Sequence, residues 1–215
     1  MSYWSWLHQQ LFLFALKRPK KRQERVLKKI INNIASTKYG LLFNVHSSDR
    51  YDEFSAKVPI VSYDKLKHWI DRQKNHESNI LIDERVTRYV VLPDSKILPY
   101  TQSLEKSFRK LLAIQPDAQN NYLEAPLFVQ IPQNPNLLPM LTEVFFEFSN
   151  ANKKIFRLHE LKKNQEYEVI ISQKAGLYRY KTGIHVLTCS ATKKTKTFSF
   201  QVLHDLYSDL RQTLD

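Results

Sequence analysis

The chain has 215 residues, 42% of them hydrophobic, and its 33 Lys and Arg against 21 Asp and Glu give a net charge of +12, which suits one compact domain or two small ones. Only three glycines occur, Gly40, Gly176 and Gly183, where average usage of about 7% would give roughly 15, so neither GxxxxGK(S/T) nor GxGxxG can be written anywhere. The single Cys189 excludes an internal disulfide framework and the Cys-rich zinc motifs, and the apolar run 11–16 falls far short of the ~20 residues a spanning helix needs, so the sequence reads as a soluble, cytoplasmic protein without a transmembrane segment.

Trp4, Leu7, Leu11 and Phe14 recur at three- and four-residue spacing, the stripe of an amphipathic helix over 3–16. Pro19 punctuates it. Eight of the thirteen residues 17–29 are basic, and Leu27, Ile30, Ile31 and Ile34 mark one face of a second helix over about 20–35, whose outer face is strongly positive. Ser36, Thr37 and Gly40 end that helix, and a loop leads into a short helix near 51–56. Ser62, whose side-chain oxygen can accept from the first free amides, opens a helix with Tyr63, Leu66, Trp69 and Ile70 on one face that stops near Lys74. Residues 79–82 and 88–92 read as short strands, and 101–112 as a helix carrying Leu104, Phe108, Leu111 and Leu112.

The texture then changes. Residues 115–139 hold prolines at 116, 126, 132, 135 and 139, the mark of a boundary or an excised region. Beyond it 143–148, 166–172, 177–180, 185–189 and 197–203 read as strands, and the last ten or so residues as helical. The expected fold class is α+β, with amino-terminal helices packed on a mostly antiparallel sheet. Its expected parts are amino-terminal helices with a basic face (1–35), a helical and mixed part (36–115), a Pro-rich junction (116–139) and a β-rich part with a short terminal helix (140–215).

The loudest local signal is the basic patch of Lys17, Arg18, Lys20, Lys21, Arg22, Arg25, Lys28 and Lys29. Beside Trp4 and Trp6 it could hold nucleic-acid phosphates or anionic lipid headgroups, or simply be a solvated helix face. The seven histidines form no HxH or HxxxH pair that would set two imidazoles on one metal. Cys189 lies within a predicted strand, where a thiol is more often a small core residue than a nucleophile.

Several phrases carry a resemblance to a known family: NIASTKYG (33–40), DEFSAKVPIVSYDKLKHWIDR (52–72), SNILI (78–82), KILPYTQSLEKSF (96–108), PNLLPMLTEVFFEF (135–148), QEYEVIISQKAGLYRYKTG (165–183) and TKTFSF (195–200). In their order and spacing the chain resembles the Gretchen Hagen auxin-responsive family of acyl-acid-amido synthetases. The resemblance implies a truncated remnant of the large domain of adenylate-forming enzymes, which use ATP and magnesium to activate a carboxylic acid as an acyl-AMP and pass the acyl group to an amino acid.

Three family nucleotide motifs are altered here. A Ser/Thr/Gly loop that cradles phosphate has become Leu92, Pro93, Asp94 and Ser95, leaving Ser95 and Lys96 as its remnants. The motif Tyr-x-x-Ser-Glu falls on 120–124, where only Glu124, the implied neighbour of magnesium, is kept. The motif Tyr-Arg-Tyr-Arg-x-Gly-Asp falls on 178–184, which keeps Tyr178, Arg179 and Gly183 but ends in Ile184, a side chain that cannot accept the ribose hydrogen bonds of the family's aspartate.

Two larger departures accompany these. A short connection between 112 and 122 replaces a long family stretch that supplies much of the central core and acyl pocket, and residues 201–215 stand where the family continues into a hinge and mobile lid. The resemblance therefore implies a reduced relative without autonomous catalysis, acting as a binding or regulatory module, with no cofactor. The alternative is residual ATP- and magnesium-dependent adenylation or amide ligation with a partner supplying the missing lobe; a second is electrostatic binding of nucleic acid or anionic membrane. Self-association or a protein partner would cover an apolar face bared by the truncation.

Overall fold

The computed structural model describes residues 3–75, 77–92, 94–115, 125–130, 136–189 and 198–204. Six helices come first, interrupted by one hairpin: α1 (Tyr3–Ala15), α2 (Pro19–Ala35), α3 (Lys38–Leu42), α4 (Tyr51–Lys57) and α5 (Tyr63–Lys74), then strands β1 (Val86–Val91) and β2 (Ile97–Thr101), then α6 (Gln102–Ile114). Strands β3 (Phe128–Gln130), β4 (Leu137–Pro139), β5 (Phe145–Ser149), β6 (Ile155–Arg157), β7 (Glu166–Ser172), β8 (Tyr180–Thr188) and β9 (Phe200–His204) follow. They form one sheet in the order β3-β4-β9-β8-β7-β5-β6, every neighbouring pair antiparallel. The fold is α+β, as the sequence pattern predicts. The predicted terminal helix and the junction segments 116–124 and 131–135 lie outside the described residues.

Strand β5 explains how the two halves meet. All five of its residues are buried, because it lies inside the sheet and is covered on both faces. On one face Phe146 and Phe148 join Phe128, Tyr167 and Phe200, with ring centroids 5.4 to 6.2 Å apart. Such large rings dominate the apolar area a core removes from water. On the other face Phe145 meets Tyr51 of α4 at 5.9 Å. Helix α2 is fixed to the same strand by the buried Gln23, whose amide donates to the Val144 carbonyl at 2.7 Å and accepts from the Phe146 amide at 2.7 Å. A glutamine can both give and take, so it satisfies two backbone groups that burial would otherwise leave unpaired.

Several local expectations change in the folded chain. The stripe Leu7, Leu11 and Phe14 is not the buried side of α1: Leu11 and Phe14 are 59% and 65% exposed, while Gln9, Phe12, Ala15 and Leu16 are buried. The helix is apolar nearly all round, so spacing alone does not select its inner face, and the Gln9 amide, donating to the Ile114 carbonyl of α6 at 2.9 Å, fixes it. Ser62 precedes α5 without a side-chain cap. Residues 79–82 form no strand; the Leu81 and Ile82 amides are taken by Gln73 Oε1 at 2.8 and 3.1 Å, and the Asn79 and Ile80 carbonyls accept from Lys38 and Tyr39. The segment 177–180 is a turn up to Tyr180, where β8 begins. Strand β6 and helix α3 are too short for periodicity to reveal, and β2 is interrupted by Pro99, a residue that counts against a strand.

Gly40 does not end α2 but lies inside α3, pressed against the turn before it. A Cβ there would fall 1.8 Å from the Ile34 carbonyl oxygen, a backbone atom that cannot swing aside. Gly40→Ala is expected to cost about 3 kcal/mol, lowering the thermal midpoint by roughly 6–12 °C. A circular-dichroism melt within about 2 °C of the parent would show that the chain yields there.

Candidate functional site

The third matched motif lies in and after the turn that feeds β8, and its residues point to different partners. Arg179 has a left-handed backbone (φ 49°) and is 6% exposed. Its guanidinium meets Glu147 of β5, which is 1% exposed, through Nε to Oε2 at 2.9 Å and Nη2 to Oε1 at 2.8 Å. The Nη1 group donates to the carbonyls of Ser55 and Val58 at 2.7 and 2.8 Å, the unpaired acceptors at the end of α4. Tyr51, from the start of α4, donates its hydroxyl to Glu147 Oε1 at 3.0 Å. Burial, then the Glu147 charge beside it, pushes the Tyr51 phenol well above the ordinary range, so it stays a donor.

The backbone around Arg179 is engaged as well. Its amide donates to Ser172 Oγ at 2.9 Å, its carbonyl accepts from Val61, and the amide of Lys181, two residues on, donates back to the Val61 carbonyl at 2.9 Å. Segment 61 thus sits as a parallel bridge beside Tyr180. A fork of five donors suits four acceptors on two segments, an arrangement a lysine could not reproduce.

Tyr178 turns the other way, toward the helical layer. It is fully buried, its hydroxyl donates to the Leu81 carbonyl at 2.9 Å, and its ring stacks 5.9 Å from Tyr39. Desolvation raises its phenol far above the usual value, and burial pushes the Tyr39 phenol up to about 12. Gly183 (φ 74°) lies in the bulge where three β8 residues, 182–184, oppose Val169 of β7. Thr182 steadies that bulge by donating to the Val169 carbonyl. Ile184, the next residue, is 1% exposed in the core.

Ser95 and Lys96 lie in the turn that joins β1 to β2. Leu92 and Lys96 close it with an amide-to-carbonyl bond of 2.7 Å, and Ser95 takes a left-handed φ of 64°. Lys96 Nζ is 2.6 Å from Asp94 Oδ2 and 5.9 Å from the Tyr63 ring centroid, so an acid of the same turn holds this cation. Among the described residues no hydrogen bond or ion pair joins this turn to Tyr178 or Arg179. Glu124 lies outside the described residues.

Of the basic patch, Lys17, Arg18, Lys20, Lys21, Arg25, Lys28 and Lys29 are exposed and Arg22 half-buried. Lys17 lies 5.6 Å from the Phe14 ring centroid, and Lys28 donates to the Ser47 carbonyl. No group of His, Cys, Asp and Glu among the described residues could hold a metal ion, and no described helix is long and apolar enough to cross a membrane. Sequence reasoning singled out Arg179 but not its partner. The available signal was Glu147 itself, a charge centred in the apolar run 144–148, where an unpaired carboxylate would be costly.

The GH3 family N-terminal domain matches residues 9–131, more than half of the chain, and the GH3 family central domain matches 137–202. The chain belongs to the GH3 family. Among the solved structures that share its fold are two acyl acid amido synthetases. A GH3.15 acyl acid amido synthetase is 13% identical, with a TM-score of 0.71 over 89% of this chain and 69% of its own. An AtGH3.15 acyl acid amido synthetase in complex with 2,4-DB is 12% identical, with a TM-score of 0.75 over 93% and 70%. No curated protein matches.

The two stacked tyrosines differ in a testable way, because the Tyr39 hydroxyl is buried with no partner among the described residues whereas that of Tyr178 is bonded. Tyr178→Phe is expected to cost about 1–2 kcal/mol, and Tyr39→Phe to be neutral or stabilising by up to about 1 kcal/mol. Urea unfolding of the two variants reads both, and the opposite order would contradict these roles.

Proposed function

We propose that this GH3-family chain does not form acyl-adenylates by itself and serves as a binding or regulatory module. The observation that carries the reading is Ile184, an aliphatic side chain packed in the core at 1% exposure where the family's motif has a ribose-binding carboxylate. A nucleotide whose ribose hydroxyls met that surface would leave them unpaired, at roughly 1–3 kcal/mol each.

The other two described motif positions support the same reading. Lys96 is held by Asp94 within its own turn, and Arg179 is engaged by Glu147 and two carbonyls. A buried arginine bonded through all three of its nitrogens reaches a phosphate only by leaving its partners, and releasing it would strand Glu147 without its counter-charge. These residues do not fit a bound nucleotide.

The test is acid-dependent exchange of pyrophosphate into ATP, with magnesium and a panel of aryl and alkyl carboxylic acids, together with a calorimetric titration of adenosine. Neither exchange above the protein-free rate nor saturable adenosine heat is expected. Exchange that rises with one of the acids would overturn the proposal and favour residual adenylation.

A further inference from the structure

Away from the motif positions, a cavity of about 180 Å³ opens where α2, α6, residues 125–126, the turn 142–144 and the turn between β7 and β8 meet. Four lysines from three of these elements line it: Lys29 of α2, Lys106 and Lys110 of α6, and Lys174 of the β7–β8 turn. Facing them is one carboxylate among the described lining residues, Glu143, and it is already engaged. Its Oε1 lies 2.6 Å from Lys110 Nζ, and its Oε2 accepts from Ser107 Oγ at 2.8 Å. Lys29, Lys106 and Lys174 make no ion pair among the described residues.

Lys29, Lys106 and Lys110 are exposed at the mouth and Lys174 is half-buried, and like charges gathered at one cavity repel. A small anion entering the cavity converts that repulsion into attraction. Lysine, a point charge with three donors, is a common partner of phosphate. Clefts that hold drug-sized molecules measure about 300–1,000 Å³, so this cavity has room for a small anion and not for a nucleoside beside it. None of Ser95, Lys96, Tyr178, Arg179 and Gly183 lines it.

The geometry points to an anion site for a phosphoryl group, with orthophosphate or pyrophosphate as the matching ligand and Lys29, Lys106 and Lys174 as its cations. The assignment is independent of whether the chain adenylates acids, since it uses none of the residues on which that question turns.

Calorimetric titration of the whole chain with pyrophosphate, orthophosphate and AMP tests it. Pyrophosphate is expected to saturate, and AMP to bind no more tightly than orthophosphate. The double variant Lys106→Gln, Lys174→Gln is expected to weaken pyrophosphate about tenfold or more, the loss of one to two charge-assisted contacts. A control pair on exposed surface elsewhere, Lys65→Gln with Lys163→Gln, removes the same net charge and is expected to stay within about twofold. Absence of saturation, equal losses in both double variants, or AMP binding about tenfold tighter than pyrophosphate would each overturn the assignment.

Discussion

The pairing of Arg179 with Glu147 is the interaction on which the rest of the structure depends. Both charges are withdrawn from water at the seam between the helical layer and the sheet, a position where each alone would cost several kcal/mol. Their mutual contact, the Tyr51 hydroxyl and two helix-end carbonyls satisfy them together. The consequence is geometric: α4, strand β5 and the turn before β8 must lie within hydrogen-bond reach of one guanidinium. Segment 61 then follows, bonded in both directions to the backbone on either side of Tyr180.

That constraint gives the motif 178–184 a structural purpose. Tyr178 fastens the turn to the carbonyl of Leu81, Arg179 fastens it to β5 and α4, and Gly183 permits the bulge that shifts the register of β8 against β7. These residues therefore have a packing role of their own, and the buried Ile184 that follows them continues the core. Relatedness to the GH3 synthetases is shown by sequence and fold. The loss of adenylation is our reading of which side chains are already occupied.

Much of the helical layer was legible from the sequence, because α2, α5 and α6 have long amphipathic patterns and clear punctuation. The β-rich half and the α+β class were legible for a similar reason, since β7 and β5 alternate or run apolar over strand lengths. What periodicity could not show was decided by tertiary partners. Leu11 and Phe14 face outward because Gln9 anchors α1 to α6, and 79–82 is held by Gln73 and α3 rather than by a neighbouring strand. The site was legible only in part: the resemblance pointed to Arg179, but its counter-charge lies 32 positions away and the lysine cavity gathers residues from three elements. No local pattern encodes either.

A double-mutant cycle on the buried pair tests the central claim most directly, using Arg179→Met, Glu147→Leu and the combination in urea unfolding. Each single change should cost about 3–5 kcal/mol, because it leaves a buried charge alone, and the combination far less than their sum. Costs that add to within about 0.5 kcal/mol would mean that the two charges are not coupled and that the seam is held by apolar packing instead.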